Sequence, residues 1–195
     1  CAKTEEATTT ETAATDAATT DTTATEPAAT DAAEVNYADV TVGFIYVGPI
    51  GDGGYTYAHD QGRQYLESEL GVKTIYKESV PETEEVEQVV RDMVDQGATI
   101  IYGTSYGYMD FLEKVSKDFP EVKFYHCSGY KLTDNMDNYF GRMYQPRYLS
   151  GIVAGLKTTT DKIGFVGAFP IPEGISGINA FTLGVRSVNP DAVVK

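Results

Sequence analysis

The feature that most constrains this chain is an alternation of two hydrophobic periods that begins at Asp39. "VTVGFIYV" (Val40–Val47) is a near-continuous apolar run closed by Gly-Pro, the pattern of a central strand buried on both faces of a parallel sheet. Helical material follows over Tyr55–Leu70 and stops at Gly71. "VKTIYK" (Val72–Lys77) alternates like a strand. "PETEEVEQVVRDMVDQG" (Pro81–Gly97) opens with Pro and acids that suit a helix dipole, places Val86, Val89, Val90, Met93 and Val94 on one face, and ends at Gly97. "ATIIYG" (Ala98–Gly103) is a third strand. A short helix over Met109–Asp118 precedes Pro120, and "VKFYH" (Val122–His126) is a fourth strand. Parallel strands need crossovers, and those crossovers are right-handed, so four such units in a row predict a doubly wound α/β sheet. Ligands of such sheets sit beyond the carboxyl ends of the strands. Here those ends carry Gly48–Gly54, Ser79–Pro81, Gly103–Tyr108 and Cys127–Lys131.

Beyond this the pattern restarts. "YFGRMYQPRYLSGIVAGLK" reads as a short strand (Tyr139–Met143) running into a helix of small and apolar residues (Arg147–Lys157). "KIGFVGAFP" (Lys162–Pro170) reads as a strand with a loop, Ile175–Val188 as a helix, and "AVVK" as the start of another strand. The expected division is an N-terminal α/β lobe over residues 35–145 and the opening of a second, unfinished lobe over 146–195. The sequence reads as a portion of a longer protein, with a marginally stable second lobe.

Ahead of the alternation, residues 1–34 hold twelve threonines, eleven alanines and eight acids against the single Lys3. No aromatic or branched aliphatic residue occurs before Val35. Such a segment buries too little apolar surface to offset its ordering entropy and is expected to be a disordered, self-repelling tether. It carries −7 of the formal net charge of −14. The acidity of both parts argues against a nucleic-acid partner and against a basic membrane-binding face. No stretch approaches the roughly 20 apolar residues of a membrane-spanning helix. Position 1 is Cys, and a polar spacer follows at once, as in a bacterial lipoprotein after signal-peptide removal; Cys1 is the expected lipidation site. Cys127 ends an apolar run and is expected as a buried free thiol.

The glycine-rich stretch "GPIGDGGYTYAHDQG" admits three readings. As a phosphate cradle it fits neither glycine fingerprint, lacks a Lys, and places Asp52 where an anion would be repelled. As a catalytic pair, His59 and Asp60 are adjacent on a helix and point apart. Two histidines in the chain make a zinc site a poor expectation, and no metal or cofactor is expected. The third reading is a pocket lip. The loops at this edge are rich in aromatics: Tyr55 and Tyr57, then "TSYGYMD" (Thr104–Asp110) with Tyr106 and Tyr108, then "CSGYK" (Cys127–Lys131), with "AFPIPEG" (Ala168–Gly174) beyond. Aromatic faces with a few carboxylates suit a flat, neutral, polar ligand; hydrophobic lids are the bland alternative.

Taken in order, "GDGGYTYAHDQGRQYLE", "TSYGYMD", "FGRMYQPRYLSGIVAG" and "KIGFVGAFPIPEGISGINAFTLGVRSVNP" resemble the basic membrane protein family, substrate-binding lipoproteins of ABC importers akin to purine nucleoside receptors. The resemblance runs from about Val40 to Lys195. It implies a type I periplasmic-binding-protein fold of two α/β lobes closing on a purine nucleobase or nucleoside, with ABC permease subunits as partners, a lipid anchor on the extracytoplasmic face, and no enzymatic step. By the same resemblance Tyr55 holds the place of the aromatic that stacks on the base. Family members often carry Phe-Asn or Trp-Thr there; Tyr55-Thr56 lacks the Asn and favours a bare base such as adenine, or another heterocycle. The resemblance also maps a ribose-contacting acid onto Asp110 and second-lobe contacts onto Phe169, Glu173 and Asn179. Two rivals stand beside it: a nucleoside hydrolase using Asp52, Asp60 and His59, and a ligand-sensing receptor of the same fold.

Overall fold

The computed structural model describes residues 36–167 and 169–195. The tether and Cys1 lie outside the described residues. Five strands, β1 (Thr41–Ile45), β2 (Lys73–Lys77), β3 (Ile100–Gly103), β4 (Lys123–Cys127) and β5 (Met136–Tyr139), form one sheet in the order β2-β1-β3-β4-β5. Every pairing in it is parallel. The crossovers are the helices α1 (Tyr55–Leu70), α2 (Glu85–Asp95) and α3 (Met109–Ser116). Strand order reverses between β1 and β3, which places the switch point, and hence the expected ligand crevice, at their carboxyl ends.

The two faces of the sheet are filled differently. On one, α2 and α3 bring Val86, Val90, Leu112 and Val115 onto Ile45, Ile101 and Phe124 in a dry aliphatic core. The other face carries a row of aromatics in register, Tyr76–Phe44–Tyr102–Tyr125 across β2, β1, β3 and β4. Phe44 and Tyr102 stack at 5.2 Å, and Tyr102 and Tyr125 at 5.1 Å. Here α1 docks through polar side chains: its buried residues are Thr56, Asp60 and Arg63. Asp60 accepts from Arg63 Nε (2.6 Å), Gln64 Nε2 (2.6 Å) and the Tyr46 hydroxyl (3.2 Å), and Arg63 lies over the Tyr76 ring at 4.6 Å. Every buried charge in this layer is therefore paired, as burial demands.

The remaining elements are α4 (Tyr144–Lys157), β6 (Lys162–Ile163), α5 (Pro172–Val188) and β7 (Val193–Val194). β6 and β7 pair in parallel as a separate two-stranded sheet. The helices α4 and α5 touch backbone to backbone. A side chain at Gly151 would collide with the Phe181 carbonyl, and one at Gly184 with the Tyr148 carbonyl, so the small residues read from the sequence set how closely these helices cross.

Some element bounds differ from expectation. The fifth strand spans Met136–Tyr139, earlier than Tyr139–Met143, and extends the first sheet. Asn135 fixes its entry by donating to the carbonyls of Ser116, Phe119 and Val122, and Met136 fills the aliphatic core, a tertiary cause hidden in the polar text "DNMDNY". α2 begins at Glu85, four residues later than Pro81, because the preceding turn is held by other contacts described below. α4 begins at Tyr144 and absorbs Pro146 into its first turn, where the missing N–H has no partner to lose. Of the strand and loop read over Lys162–Pro170, the strand is Lys162–Ile163, and the Phe165 N–H donates to the Lys195 carbonyl beyond it.

Candidate functional site

The lip of the crevice is built by Asp52. Its Oδ1 accepts the N–H groups of Gly54 (2.8 Å) and Tyr57 (3.0 Å), and its Oδ2 that of Thr56 (2.9 Å). These backbone donors hold its carboxyl below the ordinary range. Gly53, at φ 62°, makes the turn that lets the carboxylate fold back on the start of α1. Asp52, expected at the ligand, is thus engaged by its own loop and serves to present Tyr55. The neighbouring loops are braced as well. Glu78 accepts the Ile50 N–H at 2.6 Å, Ser105 donates to Glu82, and the Tyr108 hydroxyl donates to the Val80 carbonyl at 2.6 Å. Those last contacts hold the turn that delays α2.

Tyr55 projects from the first turn of α1 with 44% of its surface exposed. Its ring tilts on His59 at 4.5 Å, and His59 Nδ1 lies 2.9 Å from the Tyr55 carbonyl. His59 also meets the edge of Tyr139 at 6.2 Å. Tyr139 is paired in register with Cys127 at the end of β4, and the Cys127 thiol and the Tyr55 and Tyr139 phenols perturb one another's titrations. Burial is the largest cause pushing all three titrations upward, so both phenols and the thiol are neutral at pH 7. A protonated thiol is a poor nucleophile. Next to it, Ser128 donates to Glu173 Oε2 at 2.6 Å. The Glu173 charge, in the first turn of α5, contributes to the upward shifts of Tyr55 and Cys127. The structure therefore unites two expected residues, Tyr55 and Glu173, through three that sequence reasoning did not single out as ligand contacts: Cys127, Ser128 and Tyr139. Register supplied the missing signal, since Cys127 and Tyr139 are neighbours only because β4 and β5 pair.

The other expected residues are dispersed. Tyr57 is 45% exposed on the next face of α1. Tyr106 tilts against Tyr130 at 6.4 Å, a second aromatic pair at the same sheet edge. Asp110 pairs with Lys131 Nζ at 2.8 Å, and Glu113 takes the same ammonium at 2.6 Å, so the ribose-contacting role implied for Asp110 meets a carboxylate already paired. Phe169 is exposed ahead of α5, and Asn179 is exposed along α5. Among the described residues no three His, Cys, Asp or Glu side chains gather as metal ligands, and no helix is long and apolar enough to cross a membrane.

With this geometry in view, residues 39–195 match the family model described as Bmp, ABC transporter substrate-binding protein PnrA-like. The chain belongs to this family. Among Bmp relatives, a purine-binding protein of Brucella abortus is 47% identical over 155 residues, covering 78% of this chain and 44% of that one. A protein of Haloferax volcanii, named for ABC-transporter glucose binding, is 42% identical over 153 residues, covering 78% and 39%. The chain thus spans less than half the length of these Bmp relatives. Solved solute-binding proteins of ABC transporter systems share the architecture. One from Aeropyrum pernix superposes with a TM-score of 0.64 at 24% identity (77% of this chain, 44% of that one), and one from Conexibacter woesei with 0.63 at 23% identity (80% and 53%). The Bmp chain has the α/β, parallel-sheet fold of type I periplasmic binding proteins.

Proposed function

We propose that this Bmp protein is the extracytoplasmic receptor of an ABC importer, lipid-anchored through Cys1, which captures a purine nucleobase or nucleoside-like solute and passes it to permease subunits. In this reading residues 35–145 form one lobe and 146–195 open the second. The observation that carries it is the pairing of the half-exposed Tyr55 ring with the Glu173 carboxylate across a cluster of neutral hydroxyl and thiol groups. The ring offers a π-face, the carboxylate accepts a ligand N–H, and no nucleophile is activated. Asp60, the acid a hydrolase would need, is consumed by Arg63, Gln64 and Tyr46. The name of the Brucella relative supports a purine.

The name of the Haloferax relative favours a second reading, in which the same ring and carboxylate hold a sugar through its hydroxyls. Titration calorimetry of the protein with adenine, adenosine and glucose separates the two. Heat with adenine or adenosine and none with glucose is the expected result; saturable binding of glucose alone sinks the purine assignment. Chromatography of the recovered ligand is expected to return it intact.

A further inference from the structure

The loop after β4 is held in a conformation its residues do not favour. Ser128 adopts φ 66°, the left-handed region that a non-glycine residue occupies only when its surroundings impose it. Those surroundings are on view. The Ser128 N–H donates to the Tyr139 carbonyl at 3.1 Å. The buried His126 ring sits with Nε2 2.9 Å from the Lys131 carbonyl, and Gly129 packs so closely on that ring that any side chain there would strike it. The N–H groups of Tyr130 and Lys131 point at the Met109 sulfur, and the Lys131 ammonium is clamped by Asp110 and Glu113. So restrained, Ser128 aims its hydroxyl at one target, Glu173 Oε2, at 2.6 Å and 45 positions later in the chain. Glu173 is held in the first turn of α5, where the free N–H groups favour a carboxylate.

Among the described residues this is the one side-chain hydrogen bond that joins the five-stranded sheet and its helices to the part containing β6, α5 and β7. The covalent connection between those parts runs through the exposed residues 140–143 into α4, which packs on α5. We propose that the Ser128–Glu173 hydrogen bond is a latch: it holds the two parts together across the Tyr55 cluster and sets how fast a bound solute leaves. Among the described residues Ser128 is the donor Glu173 holds, through Oε2, which leaves Oε1 to accept from a ligand N–H, so latch and ligand share one carboxylate without competing for the same oxygen. A charge-assisted bond on a partly exposed carboxylate is worth about a fivefold bias toward the latched arrangement. The latch rests on the reading of this cleft as a solute-binding site.

Hydrogen-exchange mass spectrometry tests it on the protein without added solute. In S128A and in E173A, exchange in residues 128–131 and in the first turn of α5 is expected to rise about fivefold. The double variant is expected to go no further than either single, because each already opens the same bond. S128G is the control for backbone strain: it removes the hydroxyl while relieving the left-handed conformation, and the latch requires it to behave like S128A. Unchanged exchange at α5 in both single variants, additive effects in the double, or restored protection in S128G would overturn the proposal. Stopped-flow release of adenine adds a second readout, with S128A releasing about fivefold faster at an unchanged association rate. Failure of the wild-type protein to bind adenine, adenosine or glucose would sink the solute reading, and the exchange experiment would still decide the latch.

Discussion

Tyr55 is where the chemistry of the site is most sharply tied to a single side chain. If its ring stacks on a purine, Tyr55→Ala weakens adenine binding about threefold to tenfold beyond experimental scatter, the worth of an aromatic pair; equal affinities by calorimetry would remove the stacking role. Cys127 is its silent partner. The thiol is 4% exposed, and burial raises its titration above the ordinary value. In a Cys1→Ser background at pH 8, Cys127 is expected to react with a disulfide reagent at least about tenfold more slowly than the unfolded protein in urea. The His59–Asp60 pair shows how much of the site was readable at this scale. Helix geometry separated the two correctly, and the structure sends Asp60 into the α1–sheet layer while His59 turns beneath Tyr55. Nothing in the string "YAHD" tells which of them touches the Tyr55 ring.

At the scale of elements, helices in this chain are positioned by two opposite devices. α1 is fixed by buried polar groups and an aspartate at its start, whereas α4 and α5 are fixed by the absence of side chains where they cross. Gly184→Ala would drive a methyl into the Tyr148 carbonyl and force the helices apart, at an expected cost of about 1–3 kcal/mol. Gly62, on the outer face of α1, has nothing within reach of an added methyl, so Gly62→Ala is expected to stabilise by about 0.5–1 kcal/mol. Urea unfolding of the two variants checks both signs; a Gly184→Ala protein as stable as wild type would mean that the crossing is not close. Helix positions were largely legible because caps and period are local. The fifth strand was not, because Met136–Tyr139 is a strand only by virtue of Asn135 and the neighbouring β4.

For the whole molecule, acidity and its pairing set the pH response. Burial opposes ionisation of Asp60, but the hydrogen bonds from Arg63 and Gln64 outweigh it and leave its carboxyl below the ordinary value. The Lys131 and Lys117 ammonium groups lower Glu113 in the same direction. Folded values below unfolded ones mean that the ionised carboxylates favour the folded chain. That contribution is complete above the unfolded values of about 4 and is lost as pH falls through the lower folded values. The melting temperature is therefore expected to drop steeply below about pH 4. Asp60→Asn should destabilise by about 1–2 kcal/mol at pH 7, since Arg63 loses its shorter ion pair and keeps Glu67 at 3.1 Å, and should flatten the acid limb. A wild-type melting temperature independent of pH between about 3 and 6 would contradict this account.

The sequence by itself determined the doubly wound class, the polarity of each crossover and the sheet edge to which the loops of the candidate site belong, because period, caps and the handedness of crossovers are local or universal rules. It also placed Tyr55 on the lip and brought Glu173 forward through resemblance. Tertiary structure decided which groups lie near Tyr55: Cys127 and Tyr139 come together only through parallel register between β4 and β5, and Glu173 reaches Ser128 only through a bond that spans 45 positions. It also decided which acids are already engaged, Asp52 by its loop and Asp110 by Lys131. A carboxylate's neighbours are set by how distant segments pack, and no spacing along the chain encodes them.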